Sequence, residues 1–168
     1  MKWLWLSSYA LGDQPMAQDR YPSSMSQTVA AQKASAKTIT DSASILLYSD
    51  NAALRREVRL AVGDTLGQRR VQVEWTEVAT HEMAMMYAEK QPFDLVIGDN
   101  ETTKLGGVGL TRQMRHELDW QPNVLLLLAR QQDAWLAAWS GADGAMQRPL
   151  DPFALRRRVT EMLGLTDR

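Results

Sequence analysis

The sequence contains no cysteine and only two histidines, His81 and His116, so disulfides and thiolate metal sites are excluded. The histidines stand far apart in the chain without ligand spacing, and a zinc-type centre is not expected. Charge of one sign is also lacking: 19 Lys and Arg face 20 Asp and Glu, for a net charge of -1. That balance leaves no basic footprint for nucleic acid. Long apolar runs are absent, since nothing approaches the roughly 18 apolar residues that a membrane-spanning helix needs. The opening MKWLWLSSYALG sets a lysine before a short apolar run, but no small-x-small cleavage site follows closely, so a secretory signal is not expected. Cofactor motifs are missing too. Gly106-Gly107-Val108-Gly109 lacks the dinucleotide-binding spacing, no lysine follows it as in a phosphate-binding loop, and no nucleophile–base pair stands out. The chain reads as a non-enzyme.

What is present is globular: 45% hydrophobic and 23% charged residues in a chain of 168, enough for one real core and an appendage. Residues 1–43 read as a tail, a Ser, Gln, Ala, Lys and Thr mixture with Pro15 and Pro22 and no sustained periodicity. Aromatics make up only 7% of the chain, yet Trp3, Trp5 and Tyr9 crowd into its beginning with Leu4, Leu6 and Leu11. Such a patch suits docking to a partner or a membrane interface, or folding back on the domain.

From residue 44 to 168 short apolar runs alternate with helical stretches. Strands are expected at Ile45 to Tyr48, Val71 to Val78, Leu95 to Gly98, Val124 to Leu128 and Ala145 to Gln147. Helices are expected over Ala52 to Thr65, His81 to Lys90, Val108 to Leu118, about Asp133 to Ser140, and from Asp151-Pro152 to Leu163, where Gly164 stops the last. Strict alternation predicts an α/β fold, a five-stranded doubly wound parallel sheet covered on both faces. In such sheets function sits at the carboxyl ends of the strands. Those ends carry Ser49 and Asp50, then Asp99 with Glu101 two residues on, then Leu128, and then Arg148.

The phrases ILLYSDN, DLVIGD, the pair Gly106-Gly107, GADGAMQRP and DPFALRRRV, taken in this order, resemble the receiver domain of bacterial response regulators over roughly Ser44 to Leu163. The resemblance implies a flavodoxin-like fold in which Asp99 holds the phosphoacceptor position. It also implies magnesium held by that aspartate and an acidic pair, which here falls on Ser49 and Asp50. One carboxylate of the pair is thus a hydroxyl, so Asp50 and Asp99 imply a weak Mg2+ site at most, and no other cofactor. The family's switch hydroxyl falls on Leu128, its responding aromatic on Ala145, and its lysine on Arg148. A hydrogen bond from Leu128 to a phosphoryl group cannot form. Asp99 paired with Arg148 as a structural ion pair is the plainer alternative.

Trp135 and Trp139, four apart, share one helical face and mark either a core contact or a docking surface. The phrases LYSDN, Gly106-Gly107 and Asp133 to Ser140 further resemble orphan actinobacterial receivers associated with the proton-pumping NADH dehydrogenase, respiratory complex I. The resemblance therefore implies a pseudo-receiver binding module, an accessory subunit docked through its tail and receiver surface. Its place would be cytoplasmic, at the membrane face through its partner. The alternative is a phosphorylatable response regulator of a two-component system with Asp99 as acceptor.

Overall fold

The computed structural model describes residues 41–166. Trp3, Trp5 and Tyr9, and with them the expected tail, lie outside the described residues.

The described residues form strands β1 (Ser42–Tyr48), β2 (Thr65–Leu66), β3 (Val71–Val78), β4 (Leu95–Asp99), β5 (Val124–Leu128) and β6 (Gly144–Gln147). The helices are α1 (Ala52–Val62), α2 (His81–Lys90), α3 (Gly107–Glu117), α4 (Ala134–Ser140) and α5 (Pro152–Met162). The strand order is β2-β3-β1-β4-β5-β6. Five strands run parallel, β1 lying between β3 and β4. The expected five-stranded sheet thus has a sixth strand, and it is antiparallel: Thr65–Leu66 pairs back on Val71 and Gln72 at the sheet edge. Gly63, at φ 78, ends α1 at Val62 rather than at Thr65, and the released residues turn through Gly67 (φ 67) and Arg70 (φ 53) to make this strand. Two residues are too few to leave a periodic signal.

Central strands buried on both faces explain the unbroken apolar runs: Leu95–Asp99 and Val124–Leu128 are buried at every position. Alternate side chains feed two cores. On one face Ile45, Leu47, Ile97 and Leu125 pack with Leu54 and Val58 of α1 and Leu155 and Val159 of α5. On the other, Leu46, Tyr48, Val96 and Leu126 meet Met85 of α2, Leu110 and Met114 of α3 and Ala137 of α4. Burying these side chains contributes about 1.5–3 kcal/mol for each large one, which is the main force holding helices to sheet.

Helix starts are capped as their sequences dictate. The Asn51 side chain accepts the amides of Ala53 (2.9 Å) and Leu54 (3.2 Å), and Asp151 accepts that of Ala154 (2.6 Å) ahead of Pro152. Both caps fix the loops that carry the site. α3 is seated closely on β4, because a Cβ at Gly107 would lie 2.8 Å from the Gly98 carbonyl oxygen.

Candidate functional site

β4 ends in Asp99, which is only 1% exposed, so its carboxylate enters the rim of the sheet from below with little access to water. A buried charge requires partners. Ser49, fully buried at the end of β1, donates from Oγ to Asp99 Oδ2 at 2.7 Å. The Glu101 backbone N–H donates to Asp99 Oδ1 at 3.0 Å, and Arg148 Nη2 lies 3.9 Å from the same oxygen. The alternative pairing of Asp99 with Arg148 is present as a long ion pair. Ser49 also receives the Asn51 N–H at 3.1 Å, which orients its hydroxyl and joins the α1 cap to the acid. Glu101 is exposed and takes part through its backbone.

Asp50 sits on the exposed lip opposite. Its Oδ2 accepts the Thr103 backbone N–H at 2.8 Å and the Thr103 hydroxyl as well. These two donors hold the Asp50 carboxyl below the usual carboxylate range. Thr103 is set in place by its neighbours. The Tyr48 hydroxyl donates to the Leu105 carbonyl and lies 3.0 Å from Thr102 Oγ1, which itself donates to Leu105 at 2.7 Å. Burial pushes the Tyr48 hydroxyl up from its ordinary pKa and favours the neutral donor. Thr103, Thr102 and Tyr48 were not legible as site residues, since their contacts join loops more than fifty positions apart. The only signal was a pair of hydroxyl residues in the loop after Asp99.

The residues fit a Mg2+ site poorly. Magnesium asks for near-octahedral hard oxygens at about 2.0–2.1 Å. Here Asp99 is engaged by Ser49 and neighboured by the Arg148 cation, and Asp50 is engaged by Thr103. Among the described residues no group of three or more His, Asp or Glu side chains is placed to hold a metal ion.

Leu128, Ala145 and Arg148 lie on or beside the strands expected of them. Leu128, at the end of β5, is 2% exposed and packs into the core beside Tyr48 and Leu126; Ala145 is exposed on β6. Arg148 is tied to that strand end by its backbone N–H on the Leu128 carbonyl at 2.8 Å. Neither tryptophan of α4 is in the core. Trp135 is 64% and Trp139 54% exposed, and the Arg112 guanidinium stacks 4.1 Å from the Trp139 ring centre. The inward face of so short a helix is supplied by Ala137 and Ser140 instead. A groove of about 500 Å³ on α1, lined by Arg55, Arg56, Arg59 and Glu77 among others, includes none of the crevice residues. Arg55 and Arg59 there are paired with Glu77 at 3.3 and 3.2 Å. Among the described residues no helix is long and apolar enough to cross a membrane.

No family model matches this chain. Two response regulatory proteins of Mycobacterium tuberculosis, from strains CDC 1551 / Oshkosh and H37Rv, are each 40% identical to it over 119 residues, which is 71% of this chain and 90% of the relative. The fold is shared with a chemotaxis response regulator of Vibrio cholerae at TM-score 0.61 and 19% identity, covering 72% of this chain and 98% of that one. It is shared likewise with the receiver domain of a Francisella response regulator at TM-score 0.62 and 16% identity, covering 73% and 97%.

Proposed function

This chain belongs to the response regulator receiver family, and we propose that it serves as the receiver module of a two-component system, with Asp99 as its phosphoryl acceptor. The observation that carries this reading is the setting of Asp99. It is a buried carboxylate at the carboxyl end of a central strand, with an arginine cation and a backbone N–H on its Oδ1. In the step, an Asp99 carboxylate oxygen attacks the phosphorus of a phosphohistidine, the P–N bond breaks, and the imidazole leaves with its electron pair and takes a proton. The Glu101 N–H and Arg148 face the charge of the incoming phosphoryl oxygens. The reading places the module in the cytoplasm, where its kinase would be.

Incubation with a small phosphodonor, read by intact mass, tests this. One added phosphate on the wild-type chain and none on Asp99→Asn is the expected result. No added phosphate on either protein would sink it.

A second reading is favoured by one observation, the exposure of Trp135 and Trp139 beside Arg112. Aromatic and arginine side chains together are the commonest anchors of protein interfaces. In this reading the chain is a pseudo-receiver, docking on a larger assembly without phosphorylation, and its binding is the same in Asp99→Asn. The particular assembly implied by the resemblance, respiratory complex I, has no support in the relatives named above.

A further inference from the structure

Asp50 and Thr103 stand on opposite loops, 53 residues apart, and join the loop after β1 to the loop after β4, at whose ends Ser49 and Asp99 meet. Both loops are fixed independently. The Asp50 side is held by the Asn51 cap and by the Asn51 N–H on Ser49. The Thr103 side is held by Tyr48 through Thr102 and Leu105, and by the Val108 N–H on the Asn100 side chain at 3.3 Å. Gly106 allows that loop its tight path, since a Cβ there would lie 2.6 Å from the Asn100 carbonyl oxygen. Thr103 is thereby presented to Asp50 by structure that exists whether or not the two residues bond.

We propose that Thr103 is an internal latch, its hydroxyl and backbone N–H occupying Asp50 Oδ2 in competition with a divalent cation, so that Mg2+ binds in the crevice more weakly than it would without these bonds. The bonding of the two acids agrees. The Arg148 cation and the Ser49 hydroxyl serve Asp99, and Thr103 serves Asp50, so each acid is satisfied from within the chain. An entering ion competes with both donors at Asp50 Oδ2, and the Arg148 cation beside Asp99 offsets part of the negative charge that would attract it. Two donors on one carboxylate oxygen are charge-assisted bonds, stronger than neutral ones. The latch goes beyond the proposed phosphoryl transfer and does not depend on it, because it is read by ion binding with no phosphodonor present.

The test is titration of Mg2+ by calorimetry, with Mn2+ broadening of backbone amide signals to locate the ion. The wild-type chain is expected to bind the ion only weakly in the crevice. Thr103→Val, which removes the hydroxyl on an exposed residue, is expected to gain at least about tenfold in affinity, the worth of one charge-assisted hydrogen bond. The broadening should centre on residues 49–51 and 99–103, disappear on adding Asp50→Asn, and be absent in Thr103→Ser, which restores the donor. Amide dispersion like that of the wild type checks that each variant is folded, and Thr103→Ala stands in if the valine variant is not. Saturable crevice binding by the wild type at the affinity of Thr103→Val would overturn the latch, as would a gain that survives Asp50→Asn.

Discussion

Asp50 and Asp99 are both carboxylates at strand ends, yet their surroundings differ. Asp99 is buried and accepts from the Ser49 hydroxyl, which itself accepts the N–H of the α1 cap residue Asn51; Asp50 is exposed and bound to one neighbour. The Thr103 hydroxyl does most to depress the Asp50 pKa, and the Thr103 backbone N–H adds to it. Because the folded value lies below the unfolded one, near 4, the bond's contribution is complete above that pH and is lost as pH falls through the folded value. In Thr103→Val the Asp50 carboxyl should titrate closer to the ordinary carboxylate range, while the remaining backbone donor keeps some of the depression. A carboxyl 13C titration of both proteins measures it, and an unmoved Asp50 would show that the hydroxyl contributes nothing in solution.

At the scale of elements, α3 reaches β4 only because both contact residues are glycines. A Cβ on Gly107 would meet the Gly98 carbonyl oxygen at 2.8 Å and Leu126 Cδ2 at 2.8 Å, and the first of these is backbone that cannot swing aside. Gly107→Ala is therefore expected to destabilise the domain by about 1–3 kcal/mol, the usual cost of overpacking, although alanine is the better helix former. Denaturant midpoints would show the loss; an unchanged or higher midpoint would mean that α3 shifts freely. This contact also explains which elements could be read in the sequence. Buried strands such as Val124–Leu128 announce themselves as apolar runs, and α5 by Asp151-Pro152 at its start, so their positions were legible. The two-residue β2 was not, because its existence depends on where Gly63 stops α1 and on an edge of β3 that wanted a partner. In the site, Ser49, Asp50, Asp99 and Arg148 were legible because parallel strands end together. The contacts of Thr103 and Tyr48 depend on how one loop lies against another, for which local sequence carries no period. The tryptophans of α4 were legible as a pair but not as exposed, since the face a seven-residue helix buries is set by what it packs on.

Across the whole molecule, the question is how far an event at Asp99 travels. A phosphoryl group adds charge and acceptor oxygens, and it shifts a distant surface only through an element with two arrangements. The side chains it would meet are Ser49, Arg148 and the loop at Glu101. Leu128 is locked in the core with no polar atom on its side chain to follow the phosphate, and Ala145 on β6 has no ring to reorient. In phosphodonor-treated wild type, changes in amide hydrogen exchange should therefore stay within residues 48–51, 99–106 and 148. α4 and β6 should exchange as before. Leu128→Thr with Ala145→Phe supplies a hydroxyl at the strand end and a ring on the edge strand, and in that variant the change should extend to 134–147. Replacing the buried leucine costs on the order of 2 kcal/mol, tolerable for a domain with typical stability of about 5–15 kcal/mol. Protection changes on α4 in the treated wild type would instead make Arg148 the carrier, through its backbone bond to the Leu128 carbonyl and its place beside Asp99 at the end of β6.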